Sequence, residues 1–214
     1  MTATMAPPKP RLRGWLHLGA FPFALVSGLL LTANGKNHAD RIAIAVFTLT
    51  ACLLFGTSAV YHRGTWSPRT AGVLRRLDHS NIALIIAGTY TPLAVAVLPA
   101  SQATVLLWVV WSTALAIVVF RVAWLSAPRW FYTAMYVGLG WAAVFWLPEL
   151  WHLAGALNVV LIAAGGLLYT AGAVFYALRR PALSPTTFGY HELFHACTIA
   201  AFTCHLIVVA RVAT

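Results

Sequence analysis

The chain has 214 residues, of which 61% are hydrophobic and only 8% are charged. Soluble domains carry roughly 25% charged residues, so this composition excludes an ordinary water-soluble protein. The net charge of +10 does not indicate a nucleic-acid partner either, because the basic residues lie in short segments between apolar runs.

Apolar runs recur along the chain, and each is long enough to cross the ~30 Å hydrocarbon core of a bilayer. Backbone polar groups cannot stay unpaired in lipid, so these spans are expected to be helices. The sequence therefore predicts an all-α, polytopic membrane protein with a polar, basic N-terminal tail (1–14) and a seven-helix membrane domain (15–214). The predicted spans cover about 15–35, 42–62, 79–99, 103–123, 130–147, 154–178 and 192–212.

The distribution of Lys and Arg predicts the orientation of these spans. Of the 14 basic residues, only Lys36, Arg41 and Arg211 fall on one side of the bundle. The other eleven fall in short loops on the opposite side: Lys9, Arg11, Arg13, Arg63, Arg69, Arg75, Arg76, Arg121, Arg129, Arg179 and Arg180. This bias predicts a cytoplasmic N-terminus and a C-terminus outside.

The loop between the second and third predicted spans is flanked by ionisable and hydroxyl side chains. The segment "SAVYHR" places Ser58 and His62 at the end of the second span, and "LDHSNIALIIAGTYTP" opens the third with Asp78. An ionisable group at a membrane span is costly, so it is treated as a functional candidate.

The last predicted span opens with "HELFH", which fits the H-E-x-x-H pattern of zinc metalloproteases. His191 and His195 are four residues apart and therefore project from one helix face, about 6 Å apart along the axis. In the predicted topology the second span ends, and the third and seventh begin, on the cytoplasmic side. Asp78 and His62 should therefore lie in the same layer as these two histidines.

Three imidazoles in one layer indicate a metal site, and zinc is the expected ion. A three-histidine site leaves a fourth position for water, which zinc activates as a nucleophile near neutral pH. Asp78 is predicted to orient that water or to act as general base, and Ser58 to hydrogen-bond the water or a substrate oxygen.

The remaining histidines are predicted to lie outside this site. His205 is ten residues from His195, about 15 Å along the helix, so a packed or hydrogen-bonded role is expected. His17 lies near the start of the first span, where an interfacial role suffices. His79 adjoins Asp78, and both a supporting and an interfacial role are open for it.

In their order along the chain, "SAVYH", "LDHSNIALIIAGTYTP" and "HELFH" resemble the hemolysin III family of bacterial membrane proteins, which is related to the progestin and adipoQ receptors. The resemblance implies a seven-helix bundle in the bacterial plasma membrane. It implies zinc ligands at His62, His191 and His195, with Asp78 and Ser58 around the metal-bound water. The resemblance also implies membership of a wider superfamily of alkaline-ceramidase-like membrane hydrolases, which act on lipid amides.

Three functions are compatible with these residues. The first is a zinc-dependent hydrolase of lipid amides or esters that acts in membrane lipid homeostasis. The second is a receptor-like or fluidity-sensing protein in which zinc is structural. The third is an intramembrane metalloprotease with Glu192 as base, although Glu192 is rotated by about 100° from His191 on the helix. Membrane lipids are the expected partners in the first two cases.

Overall fold

A computed structural model describes residues 10–181, 183–184 and 186–214. Residues 1–9, which include Lys9 and most of the predicted N-terminal tail, lie outside the described residues. The rest of the chain folds into α-helices without a β-strand among the described residues. The helices are α1 (Trp15–Asn34), α2 (His38–Arg63), α3 (Pro68–Val97), α4 (Ala100–Ala123), α5 (Arg129–Gly140), α6 (Leu147–Ala154), α7 (Ala156–Leu178) and α8 (Tyr190–Ala213).

The predicted all-α fold with seven membrane spans is confirmed. Seven helical segments of the described chain are long and apolar enough to cross a bilayer, so this is a multi-pass membrane protein. Six of them are single helices. The fifth, Arg129–Ala154, consists of α5, a short 3-10 helix (Ala142–Trp146) and α6.

Two of the helices begin earlier than the apolar runs suggested, and each has a local cap. Ser67 accepts a hydrogen bond from the backbone N–H of Thr70 at 3.3 Å, with Pro68 in the first turn of α3. Asn37 accepts from the N–H of Asp40 at 3.0 Å at the start of α2. Hydropathy predicts where a helix enters the lipid, whereas the capping residues indicate where the helix itself begins.

The helices pack in chain order and α8 closes the bundle. Neighbouring pairs α1–α2, α2–α3, α3–α4 and α7–α8 pack along their lengths, and α8 also contacts α1, α2 and α3. One apolar cluster joins α1, α2, α3 and α8, and a second joins α3, α4, α5 and α7. This closure brings the start of the last helix against the end of the second.

The α7–α8 contact depends on a small residue. A Cβ atom added at Gly172 of α7 would lie 2.9 Å from Cβ of Cys197 on α8, closer than side-chain carbons normally approach. Small residues at helix interfaces allow such close backbone approach in membranes. The first two turns of α8 are thereby held at a fixed distance from α7.

Candidate metal centre

The structure brings His62, His191 and His195 together at one end of the bundle. His62 lies in the last turn of α2, and the other two lie in the first two turns of α8. One ring nitrogen from each lies within 4.8 Å of the others. His62 and His195 are buried, at 7% and 2% exposure, and His191 is partly buried.

The geometry of these nitrogens fits a small cation. The Nε2 atoms of His62 and His191 are 3.2 Å apart. Two nitrogens bound tetrahedrally to one zinc at about 2.0–2.1 Å would be separated by roughly 3.3 Å. Three imidazoles are also a donor set that suits zinc. The residues present therefore fit the ion that the sequence predicted.

Asp78 lies beside the histidines and outside the group of converging nitrogens. Its Oδ2 atom is 3.7 Å from Nε2 of His62, too long for a direct hydrogen bond. Among the described residues the group of mutually close metal-binding atoms contains only the three histidines. Ser58 faces Asp78 from α2, and both side chains are buried. The carboxylate thus stands next to the centre without being one of its converging ligands.

His17 covers one face of the cluster, a placement that the sequence did not predict. Its ring stacks on that of His195, with centroids 3.7 Å apart and planes 8° apart, and it forms a T-shaped pair with the ring of Phe55. His17 is 2% exposed, so it is a buried residue rather than an interfacial one. Its ring nitrogens have no hydrogen-bond partner in the described part of the chain.

The topological argument used for the other histidines would have found His17. The first span starts on the predicted cytoplasmic side, so a residue near its start belongs to the same layer as His62. The sequence does not show in which direction the His17 side chain points around the helix axis, because a nearly all-apolar helix has no recognisable inward face. The α1–α8 contact provides that information in the structure.

Glu192 has a structural position at the start of α8. One carboxylate oxygen forms an ion pair with Arg13, and the other accepts the backbone N–H of Gly189 at 2.8 Å. The second contact belongs to a capping box, which satisfies a free donor at the helix start. Both oxygens of Glu192 are therefore engaged, which leaves Asp78 as the nearer candidate base.

A second buried polar group surrounds His79, the residue that follows Asp78 in α3. Nη2 of Arg121 lies within hydrogen-bonding distance of Nδ1 of His79, and its guanidinium stands 4.1 Å from the centroid of the Tyr132 ring. Tyr136 donates to the carbonyl oxygen of His79 at 2.8 Å. Arg121, expected among the loop charges, is fully buried. A count of basic residues cannot distinguish a loop from an inward-facing helix end.

A large apolar cavity extends from the histidines along the bundle. It contains about 1690 Å³ of empty space, including the space at its mouth. Along α3 it is lined from Asp78 to Leu98, a length of roughly 30 Å for a helix. Ser58, His191 and His195 line its polar end. His205 also lines it, bonded to the carbonyl of Ile162 at 3.2 Å and outside the cluster, as expected.

Comparison with known proteins gives one consistent family. The profile of the family described as "Haemolysin-III related" matches residues 5–206. "Hemolysin-3 homolog" of Bacillus subtilis (strain 168) is 28% identical over 193 residues, which are 88% of this chain and 87% of that protein. "Hemolysin-3" of Bacillus cereus is 28% identical over 151 residues, which are 69% of this chain and 68% of that protein.

Proposed function

The chain belongs to the haemolysin-III-related family, and from the buried histidine cluster at the end of an apolar cavity we propose that it is a zinc-dependent hydrolase of lipid amides or esters. It would act in lipid homeostasis of the bacterial plasma membrane. One observation carries the proposal: three histidine nitrogens converge within 4.8 Å while Asp78 stays outside their group.

The incomplete ligand set favours catalysis over a purely structural metal. Structural zinc sites are normally closed by four protein ligands, whereas catalytic sites have three and leave one position open. His62, His191 and His195 supply three nitrogens. Zinc bound there would supply Lewis-acid chemistry that polarises a carbonyl and activates water.

In the proposed reaction, each neighbouring side chain has a role. The apolar cavity holds the acyl chain and presents its carbonyl to the histidine end. Asp78 removes a proton from the attacking water and returns it to the departing amine or alkoxide. Ser58 faces Asp78 and donates a hydrogen bond to a substrate oxygen. The products are a free fatty acid and an amine or alcohol.

The metal assignment is tested first. His191→Ala and His195→Ala should each abolish stoichiometric zinc in the purified full-length protein, measured by elemental analysis. His205→Ala is the matched control, because it removes a histidine of the same helix that lies outside the cluster. If His191→Ala or His195→Ala still held one zinc per chain, the assignment would be wrong.

The catalytic role is tested with Asp78→Asn. This variant should retain zinc and lose turnover by about 10²–10⁴-fold, the usual effect of removing a general base. Fatty-acid release from ceramides, acyl amides and phospholipids is the measurement. Absence of turnover of all three classes by the zinc-loaded wild type would instead favour the receptor-like or fluidity-sensing function with a structural zinc.

The protease hypothesis is the least supported of the three. It needs a free glutamate at the metal, whereas Glu192 contacts Arg13 and Gly189. The membrane-embedded apolar cavity also matches an acyl chain better than a peptide, whose backbone polar groups would go unpaired there.

A further inference from the structure

A second, more open cavity also reaches the histidine cluster. It contains about 1000 Å³ of empty space, including the open space at its mouth, and we call it the basic vestibule. It is lined by Arg13, Tyr61, His62, Gly64, Trp66, Ala71, Arg75, His79, Arg129, Tyr176, Tyr190 and His191. His79 and His191 also line the large apolar cavity, so the two spaces meet at these residues, beside the histidine cluster.

The vestibule carries an excess of positive charge. Arg13 is paired with Glu192, whereas the ion pairs of the described residues include no carboxylate partner for Arg75 or Arg129. Arg75 is exposed on α3, one turn before Asp78. Arg129 stands over the ring of Tyr176 at 4.8 Å and donates to its carbonyl at 3.3 Å. Two arginines therefore face this space without a counter-charge.

The charge bias of membrane topology does not by itself explain this placement. Arg69 is also a basic, exposed residue of α3 on the same side, and it does not line the cavity. Arg75 and Arg129 come from different helices, α3 and α5, and both face a space that reaches His62 and His191. Topology requires basic residues on this side but not their convergence at the site.

We propose that the basic vestibule binds an anionic head group of the lipid substrate, a phosphate or a carboxylate, while the apolar cavity holds the acyl chain. This inference rests on the proposed hydrolase function and specifies its substrate class. A planar guanidinium binds the oxygens of either anion through paired hydrogen bonds. A substrate that spans both cavities has its amide or ester bond at the histidines.

Binding is measured without turnover, using octadecylsulfonyl compounds that resist hydrolysis. The anionic probes carry glycine or ethanolamine phosphate as head group, and the neutral probe carries ethanolamine. The zinc-loaded full-length protein in phosphatidylcholine nanodiscs should bind the anionic probes about tenfold more tightly, as expected for one charge-assisted contact. Equal affinity for all three probes would overturn the proposal.

Arg75→Gln should remove most of the preference for the anionic probes and leave the affinity for the neutral probe unchanged. Arg69→Gln is the matched control and should keep the preference. Arg129→Gln provides a second test from another helix. Retention of the full preference in both Arg75→Gln and Arg129→Gln would contradict the assignment of these residues.

Two further experiments distinguish a head-group site from a site for free anions, and the head-group proposal from the hydrolase function. Millimolar inorganic phosphate should not displace the lipid probes; full displacement would show a site for free anions and overturn the head-group proposal. N-oleoylglycine and N-oleoylethanolamine are then compared as substrates. Hydrolysis of both compounds at equal kcat/KM would refute the head-group proposal and support the hydrolase function. Selective binding of the anionic probes without any turnover would support the head-group proposal and refute the hydrolase function.

Discussion

At the scale of single residues, the candidate site joins two histidines of the first two turns of α8 with one from the last turn of α2. The four-residue spacing of His191 and His195 and the predicted topology were enough to place His62 in the same layer. The direction of each side chain around its helix axis could not be predicted from the sequence, because helices that are apolar on all sides show no inward face. For this reason His17 and Arg121 were missed, although their depth was predictable.

His17 provides a test of what its stacked ring does. His17→Phe should keep a flat ring against His195 and retain zinc, because the contact is between ring faces. His17→Ala should lower zinc affinity by about 10–100-fold, the usual effect of losing a supporting partner of a metal ligand. Competition with a chelator of known affinity measures both. Loss of zinc in His17→Phe would show that His17 is itself a ligand.

Glu192 is the residue that makes the "HELFH" segment resemble a protease motif, and its replacement is expected to affect stability rather than turnover. Glu192→Gln removes the charge that pairs with Arg13 and weakens the helix cap. The free energy of unfolding should fall by about 1–3 kcal/mol, while turnover per bound zinc should stay near that of the wild type. Thermal unfolding and lipid hydrolysis measure the two effects. Abolished turnover in a fully zinc-loaded variant would return Glu192 to the role of base.

At the scale of helices, the sequence predicted the number of spans better than their ends. Long apolar runs gave seven spans, but α3 begins at Pro68, eleven residues before the predicted start. The segment before Asp78 is too polar to be recognised as membrane-embedded, yet Ser67 and Pro68 are strong start signals for a helix. The segment between the fifth and sixth predicted spans is similarly helical, as α6.

Helix packing predicts the effect of a change outside the metal centre. Gly172→Val should force α7 and α8 apart, because its Cβ would meet that of Cys197. Since α8 carries His191 and His195, both the melting temperature and zinc occupancy should decrease. Gly138→Val on α5 is the matched control, since no atom lies within 4 Å of a Cβ added there. Equal effects of the two variants would show that the α7–α8 contact does not position the histidines.

At the scale of the whole molecule, the orientation of the bundle is a separate prediction. The bias of Lys and Arg predicts a cytoplasmic N-terminus and a C-terminus outside. Green fluorescent protein fused at the N-terminus should fluoresce, and alkaline phosphatase fused after Thr214 should be active. The reverse pattern would place the histidine cluster and the basic vestibule on the outer side.

The convergence of α2 and α8 also constrains biogenesis. His62 and His191 are separated by 129 residues, so on the order of 10 s of synthesis separates them at bacterial translation rates. The centre can be completed only after the last helix has been inserted. Under the proposed zinc assignment, metal loading would be a late step that marks a finished chain, and a chain truncated before α8 would reach the membrane unable to take up the ion.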